Sequence, residues 1–325
     1  TAVKRCDFWP AIAFSAGLAY TKILRTGGQG VIGSHTAEFC IKKGHKGTIL
    51  DDFSTGRKSN ISTVADGLEV VELDSRDTAA MTAVCEGAET ILHLAAISSV
   101  EKSVREPLLT HAVNTYGFLS VMEAARENKV RRVVFASSAA VYGDEPELPK
   151  TESSPIRPLS PYAWHKLTGE FYGRHYRDFH SIDFLALRYF NVYGPRQDPS
   201  SPYSGVLSIF ADRAGRDEPL TIFGNGEQTR DFRHVSEVAA VNLQALQATG
   251  LLPDIINVSS GRETSINDVA RMIQSARNSR AGITHAPKRE GDISRSYATT
   301  ELLTDTFGYV PLVPLNQGLA SIITC

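Results

Sequence analysis

Gly27-Gly28-Gln29-Gly30-Val31-Ile32-Gly33 decides the fold, and the chain is read outward from it. Residues 20–26 before it read as a strand, and a helix follows to about Lys43. A second strand, 47–51, carries the apolar run Thr48-Ile49-Leu50 and ends on Asp51. The glycines at 27, 30 and 33 have GxxGxxG spacing. Backbone can approach a pyrophosphate closely only where Cβ is missing, and a helix N-terminus offers free N–H groups and a positive dipole end. Spacing alone would equally suit a structural glycine turn. Here it lies between strand and helix, with an acid about 20 residues further on to accept from a ribose 2′-OH, and that context marks a dinucleotide site. Asp51 favours NAD, because a 2′-phosphate would meet a carboxylate; Arg57 and Lys58 nearby pull the other way.

The β–α alternation continues. Strands are predicted at 68–73, 90–94, 133–135 and 183–188, with helices at 76–85, about 108–128 and 162–180. Short apolar runs of this kind suit parallel strands buried on both faces. The proline-rich stretch 143–161 reads as an irregular connection within one sheet. After a polar segment at 189–204 come a helix at 205–213, a strand at 220–223, a helix at 235–247 and a strand at 255–258. Ser265 and Asp268 form a capping box that opens a helix through Ala276. The expected fold is a doubly wound (Rossmann) parallel α/β sheet with a smaller C-terminal α/β substrate domain. Residues 20–186 plus 232–260 are assigned to the first domain and 187–231 plus 261–325 to the second; 1–19 are an unassigned extension. Arg25 conflicts with its place in a buried strand, since an unpaired buried charge is costly. Either it reaches solvent or a partner at the strand end, or the first strand is loosely packed.

The 325 residues suffice for roughly two domains at ~150 residues each. A net charge of −2 gives no reason to expect a nucleic-acid surface. The four cysteines (Cys6, Cys40, Cys85, Cys325) are scattered without a CxxC, which argues against a disulfide framework or a metal site and for a reducing compartment. No apolar run reaches the ~18 residues that span a membrane. Residues 8–20, after Lys4 and Arg5, resemble the apolar part of a signal peptide, but the cofactor fold begins directly behind them. A cytoplasmic, membrane-free protein is expected.

Ser160-Pro161-Tyr162-Ala163-Trp164-His165-Lys166 carries the chemistry. Ser160 is a good N-cap and Pro161 a good first helical residue. Tyr162 and Lys166 then stand one turn apart on one face. A fixed positive charge favours the phenolate of Tyr, whose free pKa is about 10. A surface Tyr-Lys pair would look the same in isolation. Ser138, at the end of a predicted strand where open α/β sheets bind ligands, changes the reading. Ser, Tyr and Lys beside a dinucleotide can take a proton from an alcohol while the cofactor takes the hydride.

On these motifs the chain resembles the extended short-chain dehydrogenase/reductase family, in its nucleotide-sugar epimerase branch. Further markers are Leu50-Asp51-Asp52-Phe53-Ser54-Thr55-Gly56, His93-Leu94-Ala95-Ala96, Ser137-Ser138-Ala139-Ala140-Val141-Tyr142-Gly143, Leu187-Arg188-Tyr189-Phe190-Asn191, Gln228-Thr229-Arg230-Asp231-Phe232 and Arg289-Glu290-Gly291-Asp292. The resemblance covers about residues 22–318. It implies that Gly27, Gly30, Val31 and Ile32 hold the pyrophosphate of NAD, Asp51 the adenosine ribose, and Asp74 with Ser75 the adenine. Leu94, Ala95, Ala96 and Asn114 would line the cofactor, with Tyr189 and Phe190 near the nicotinamide. Asn191, Arg230 and Arg289 would bind UDP, and Thr221 and Phe223 would edge the uracil. Trp164 and His165 depart from the small residues common inside the family's Tyr-x-x-x-Lys turn.

The implied reaction inverts C4 of a UDP-hexose through a 4-keto sugar. Tyr162 is the general base, Ser138 shares the sugar oxygen, and Lys166 holds the nicotinamide ribose and lowers the Tyr162 pKa. Rival readings are a nucleotide-sugar 4,6-dehydratase or decarboxylase, and a non-catalytic dinucleotide-binding protein. Dehydratases of the family place Asp-Glu after the Ser/Thr; here Ala139-Ala140 stand there, and Asp144-Glu145 reads as solvated loop. In the resembled epimerases the residue seven after the Arg of Arg-x-Gly-Asp borders the sugar 2-position. That is Ser296, small enough to admit an N-acetyl group. Helices near 108–128 and 162–180 would pair in a homodimer.

Overall fold

The computed structural model describes residues 22–200, 205–288, 293–308 and 313–323. The extension and Arg289 lie outside the described residues. The central sheet is built from β1 (Ile23–Thr26), β2 (Gly47–Asp51), β3 (Leu68–Glu72), β4 (Thr90–His93), β5 (Arg132–Ser138), β6 (Asp183–Tyr189) and a last strand, Ile255–Val258. Their order across the sheet is β3-β2-β1-β4-β5-β6 and then 255–258, every neighbour parallel. The order reverses between β1 and β4, and the crevice beyond their C-terminal ends is where a doubly wound sheet binds ligands.

Side chains alternate across this sheet with period two. On β5, Val134 and Ala136 join the cluster that contains Phe39 of α1 (Val31–Lys42) and Val238 of the helix Val235–Gln247. Val133 and Phe135 join the opposite cluster, with Met81 of α2 (Thr78–Val84). Further along the chain come α3 (Val100–Arg105), α4 (Pro107–His111), a π-helical turn at Ala112–Tyr116, α5 (Gly117–Glu127) and α6 (Pro161–His180). Phe118 of α5 and Tyr176 of α6 fill the second cluster. A Cβ on Gly169 would meet the Phe135 ring at 2.5 Å, and one on Gly173 would strike Phe184. These two positions, one turn apart, let α6 lie directly on the sheet.

The remaining elements are β7 (Asn191–Tyr193), α7 (Val206–Gly215), β8 (Leu220–Phe223), β9 (Thr229–Arg230), β10 (Phe232–His234), α8 (Val235–Gln247), β11 (Ile255–Val258), β12 (Thr264–Ser265), α9 (Ile266–Arg277), β13 (Ile283–Ala286), α10 (Glu301–Phe307) and α11 (Leu315–Ile323). Three two-stranded pairs, β7/β10, β9/β12 and β8/β13, lie outside the main sheet. Leu207, Phe210, Leu220, Ile222, Val269 and Ile273 make a separate core cluster among them. The Ser265 capping box forms: its hydroxyl accepts from Asp268 N at 3.0 Å and donates to the Asp268 carboxylate at 2.7 Å.

Three expectations change. The helix expected at 108–128 is a broken series that starts at Val100, capped by Ser99, and passes through the π turn. Glu145 is not solvated: it is buried against the Lys150 ammonium, whereas Asp144 is exposed and faces Arg157 at 3.6 Å. Arg25 reaches neither solvent nor a partner at the strand end. It is 0 % exposed in a fully buried β1, and among the described residues none of its three guanidinium nitrogens has a hydrogen-bond partner. Burial pushes its pKa down, with the neighbouring Cys40 thiol opposing that shift.

Candidate active site

The Gly-rich turn is shaped as its spacing requires. Gly27 has φ +63°, and a Cβ there would sit 2.7 Å from Ala95 N. The turn therefore packs against the loop after β4, which holds Leu94, Ala95 and Ala96. Leu94 N and Ala95 N donate to the Thr26 carbonyl and hydroxyl, each at 3.2 Å. Gly30 caps α1 without any side-chain hydrogen bond, and no acid stands in the first turn. The N–H groups of Val31 and Ile32 thus open a helix end suited to an anion. A Cβ on Gly30 would meet nothing closer than Gly27 O at 3.4 Å. The turn is a cradle that fits a dinucleotide pyrophosphate.

Asp51 ends β2 and accepts from Gln29 N and Phe53 N, both at 2.9 Å. Burial raises its pKa, and those two bonds oppose the rise. Arg57 is ion-paired with Asp198, and Lys58 faces Glu72 at 3.9 Å, so the cations that follow Asp51 have other partners. Asp74 is held by Arg76, which also lowers its pKa. Ser75 is buried, and its hydroxyl would lie 2.6 Å from a Cβ on Gly117. Asn114 lies in the π turn. Its amide accepts from Ile97 N at 2.7 Å and donates to Ile97 O at 3.0 Å, which fixes the loop after β4.

Ser138, Tyr162 and Lys166 converge at the end of β5. Ser160 caps α6 by accepting from Ala163 N at 3.2 Å, and Ser103 of α3 accepts from Tyr162 N at 3.0 Å. Burial pushes the Tyr162 phenol up, and a hydrogen bond with Ser138 opposes it. Lys166 Nζ donates to Ala136 O at 2.7 Å and lies 5.7 Å from the Tyr162 ring centroid. Burial lowers its pKa to about 8. The expected depression of Tyr162 by Lys166 therefore does not appear: Ser138 supplies the opposing pull, and the ammonium is bonded to backbone. His165 is buried edge-on to His111 at 5.5 Å, and Trp164 is exposed.

Of the residues that the resemblance links to substrate, Asn191, Thr221, Phe223 and Arg230 lie on the small strand pairs. Asn191 donates through Nδ2 to Asp231 O at 3.1 Å. Arg230 donates to Thr229 O and Ile293 O, each at 2.7 Å. Thr221 accepts from Arg213 at 3.1 Å. Phe223 and Ser296 are half-buried. Tyr189 donates to Asn242 at 2.6 Å, and Phe190 packs on Tyr142 with ring centroids 6.4 Å apart. The sequence reading missed a buried polar cluster at the end of β5: Ser137, Glu170, Arg188 and Tyr142. Its one sequence signal is Glu170, four residues after Lys166 on the same helical face.

A parallel sheet with this turn at its switch point, and a Ser/Tyr/Lys set beside it, defines a dinucleotide-dependent α/β enzyme class. The chain belongs to the NAD dependent epimerase/dehydratase family, whose model matches residues 23–259. It is 36% identical over 306 residues to a UDP-glucose 4-epimerase of Mycolicibacterium smegmatis, covering 93% of this chain and 97% of that one. The UDP-N-acetylglucosamine 4-epimerase of Methanobrevibacter ruminantium M1, solved with UDP-N-acetylmuramic acid, superposes with a TM-score of 0.90 at 34% identity, covering 94% and 98% of the two chains. A UDP-glucuronic acid decarboxylase 1 of Xenopus tropicalis is 30% identical over 316 residues, 96% of this chain and 73% of that one. Among the described residues, no helix is long and apolar enough to cross a membrane.

Proposed function

We propose that this protein inverts C4 of UDP-hexoses, with UDP-glucose/UDP-galactose and UDP-N-acetylglucosamine/UDP-N-acetylgalactosamine as substrate pairs. The carrying observation is the convergence of Ser138, Tyr162 and Lys166 at the end of β5, with Ala139-Ala140 where an eliminating enzyme needs an acid. Tyr162 takes the proton of the sugar 4-OH as general base, and Ser138 donates to the same sugar oxygen. NAD, when bound, would supply the hydride acceptor for C4, and the Ser138, Tyr162 and Lys166 side chains would hold the sugar oxygen and the nicotinamide ribose beside it. Gly27, Gly30, Val31 and Ile32 would hold its pyrophosphate, Asp51 its adenosine ribose, and Asp74 and Ser75 its adenine. Leu94, Ala95, Ala96, Tyr189 and Phe190 would wall it, with Asn114 bracing that wall. Lys166 spends one N–H on Ala136 O, and its two others are available to a nicotinamide ribose.

Asn191, Arg230 and Arg289 are assigned to UDP, Thr221 and Phe223 to the uracil edge, and Ser296 to the sugar 2-position. The proposed division, 20–186 plus 232–260 against 187–231 plus 261–325, is supported by β11 joining the main sheet and by the separate cluster around α7 and α9. We assign a homodimer through α3 to α6, where Val104, Leu108, Tyr116, Trp164, Phe171 and Phe179 are exposed. Free thiols at Cys40 and Cys85 suit a cytoplasmic setting. The test is to incubate the purified protein, without added NAD, with UDP-galactose and with UDP-N-acetylgalactosamine. Formation of the gluco epimers is expected. Release of CO₂ from UDP-glucuronic acid, without epimerisation, would point to the decarboxylase instead.

A further inference from the structure

Three consecutive residues of β5 address three successive turns of α6. Ser138, at the end of the strand, lies against Tyr162, Ala136 O accepts from Lys166 at 2.7 Å, and Ser137 Oγ donates to Glu170 Oε1 at 2.5 Å. Tyr162, Lys166 and Glu170 are spaced four residues apart, so they form one stripe along the helix. The first two contacts belong to the reaction; the third has no chemical part in it.

Glu170 is nevertheless fully committed. Arg188 of β6 grips it with two parallel bonds, Nε to Oε1 at 2.9 Å and Nη2 to Oε2 at 2.7 Å. A third arm of Arg188 donates to the Tyr142 hydroxyl at 2.8 Å, which donates in turn to Asn257 Oδ1 of β11 at 2.7 Å. Arg188 and Asn257 are 0 % exposed and Ser137, Glu170 and Tyr142 at most 5 %. A buried ion pair of this kind is often no more stabilising than apolar residues of the same volume, so stability alone does not account for it. What the bidentate clamp supplies is geometry: the carboxylate has one allowed orientation, and Ser137 is bonded to it. We propose that Glu170, clamped by Arg188, is a positioning residue that locks α6 against the end of β5 through Ser137, so that Tyr162 and Lys166 meet Ser138 in reacting register. This rests on the epimerase reading of the site.

The clean perturbation is Ser137→Ala, which cuts the tie and leaves the Glu170–Arg188 charges paired. Glu170→Asp is the second variant, because it keeps the charge and shortens the reach. Both are made in the full chain with its cofactor. In each, kcat on UDP-galactose should fall about tenfold, since a displacement near 1 Å can cost up to ~10²-fold, while KM stays within about twofold. Ser137→Thr, which keeps the hydroxyl, should restore kcat. A second readout needs no substrate: the tyrosinate absorbance titration of Tyr162, taken as the difference between each protein and its Tyr162→Phe counterpart. Moving Tyr162 away from the Ser138 hydroxyl removes what opposes the upward push of burial, so this titration should move to higher pH. Wild-type kcat together with an unmoved titration in both folded variants would overturn the proposal. If the wild-type protein turns over no sugar, the epimerase reading fails, and the titration alone decides the brace: an upward shift supports it and no shift refutes it.

Discussion

Replacing Arg25 should stabilise this protein without harming its chemistry. Its side chain projects from β1, 0 % exposed, and among the described residues Nε, Nη1 and Nη2 have no hydrogen-bond partner. Exchanging buried ionic groups for apolar ones of similar volume gains about 1–4 kcal/mol even when the ions are paired, and an unpaired charge is the costlier case. Arg25→Met keeps an unbranched stem but is shorter, and the residual void should cost about 0.5–1 kcal/mol. The net expectation is about 2 kcal/mol of added stability. At about 2 °C per kcal/mol for a large chain, Tm should rise about 4 °C. Arg25→Lys, which retains a buried cation, should give no gain. Thermal unfolding of wild type and both variants, each loaded with NAD, is the assay, with kcat measured alongside. An unchanged or lower Tm in Arg25→Met, or an equal gain in Arg25→Lys, would refute the reasoning.

Other expectations follow from the site and its surroundings. Tyr162→Phe should lower kcat about 10²-fold or more while NAD remains bound, measured by turnover and by cofactor release on denaturation. Asp51→Ala should weaken NAD binding and relax discrimination against NADP; copurification of NADP with the wild-type protein would contradict this. Ser296→Tyr should abolish turnover of the N-acetylated sugars and spare UDP-glucose, because overpacking costs about 1–3 kcal/mol; equal loss on both sugars would defeat the assignment. Burial raises the Glu237 carboxyl to about 7, against the pull of Arg233. Between its ordinary 4.5 and about 7 the folded state therefore holds a proton that the unfolded state has released. That stability is complete below the lower value and is lost as pH rises through the upper one. Glu237→Gln should flatten the dependence of Tm on pH in that window, and identical profiles would exclude Glu237 as the source.

The sheet was legible because its inner strands are buried on both faces, whereas the edge strand β3 is largely exposed. Val133 to Phe135 is an apolar run for that reason, and the positive φ of Gly27 is what a glycine in that turn announces. Helix α3 was not legible, since Val100 and Val104 are exposed and only Ser103 is buried, so no apolar face marks it. The brace was hidden for another reason. Glu170, Arg188 and Tyr142 come from a helix, a strand and the short 3-10 helix Ala139–Tyr142, and pairing of charges across elements leaves no local period. Glu145 looked like loop because its partner Lys150 becomes visible only once the chain folds back. Arg25 could be flagged as misplaced from sequence, but that it is buried beside the Cys40 thiol, with no hydrogen bond among the described residues, needed coordinates.

The central claim is that hydride leaves C4 and returns to the same carbon within one closed site. It is tested by giving the purified protein, with no added NAD, UDP-galactose deuterated at C4 and reading the product by mass spectrometry and NMR. The account predicts UDP-glucose that retains the deuterium at C4, with no accumulation of reduced cofactor or keto sugar, and conversion by Tyr162→Phe slowed about 10²-fold or more. Loss of the label to solvent, or release of a keto product with stoichiometric reduced cofactor, would contradict it.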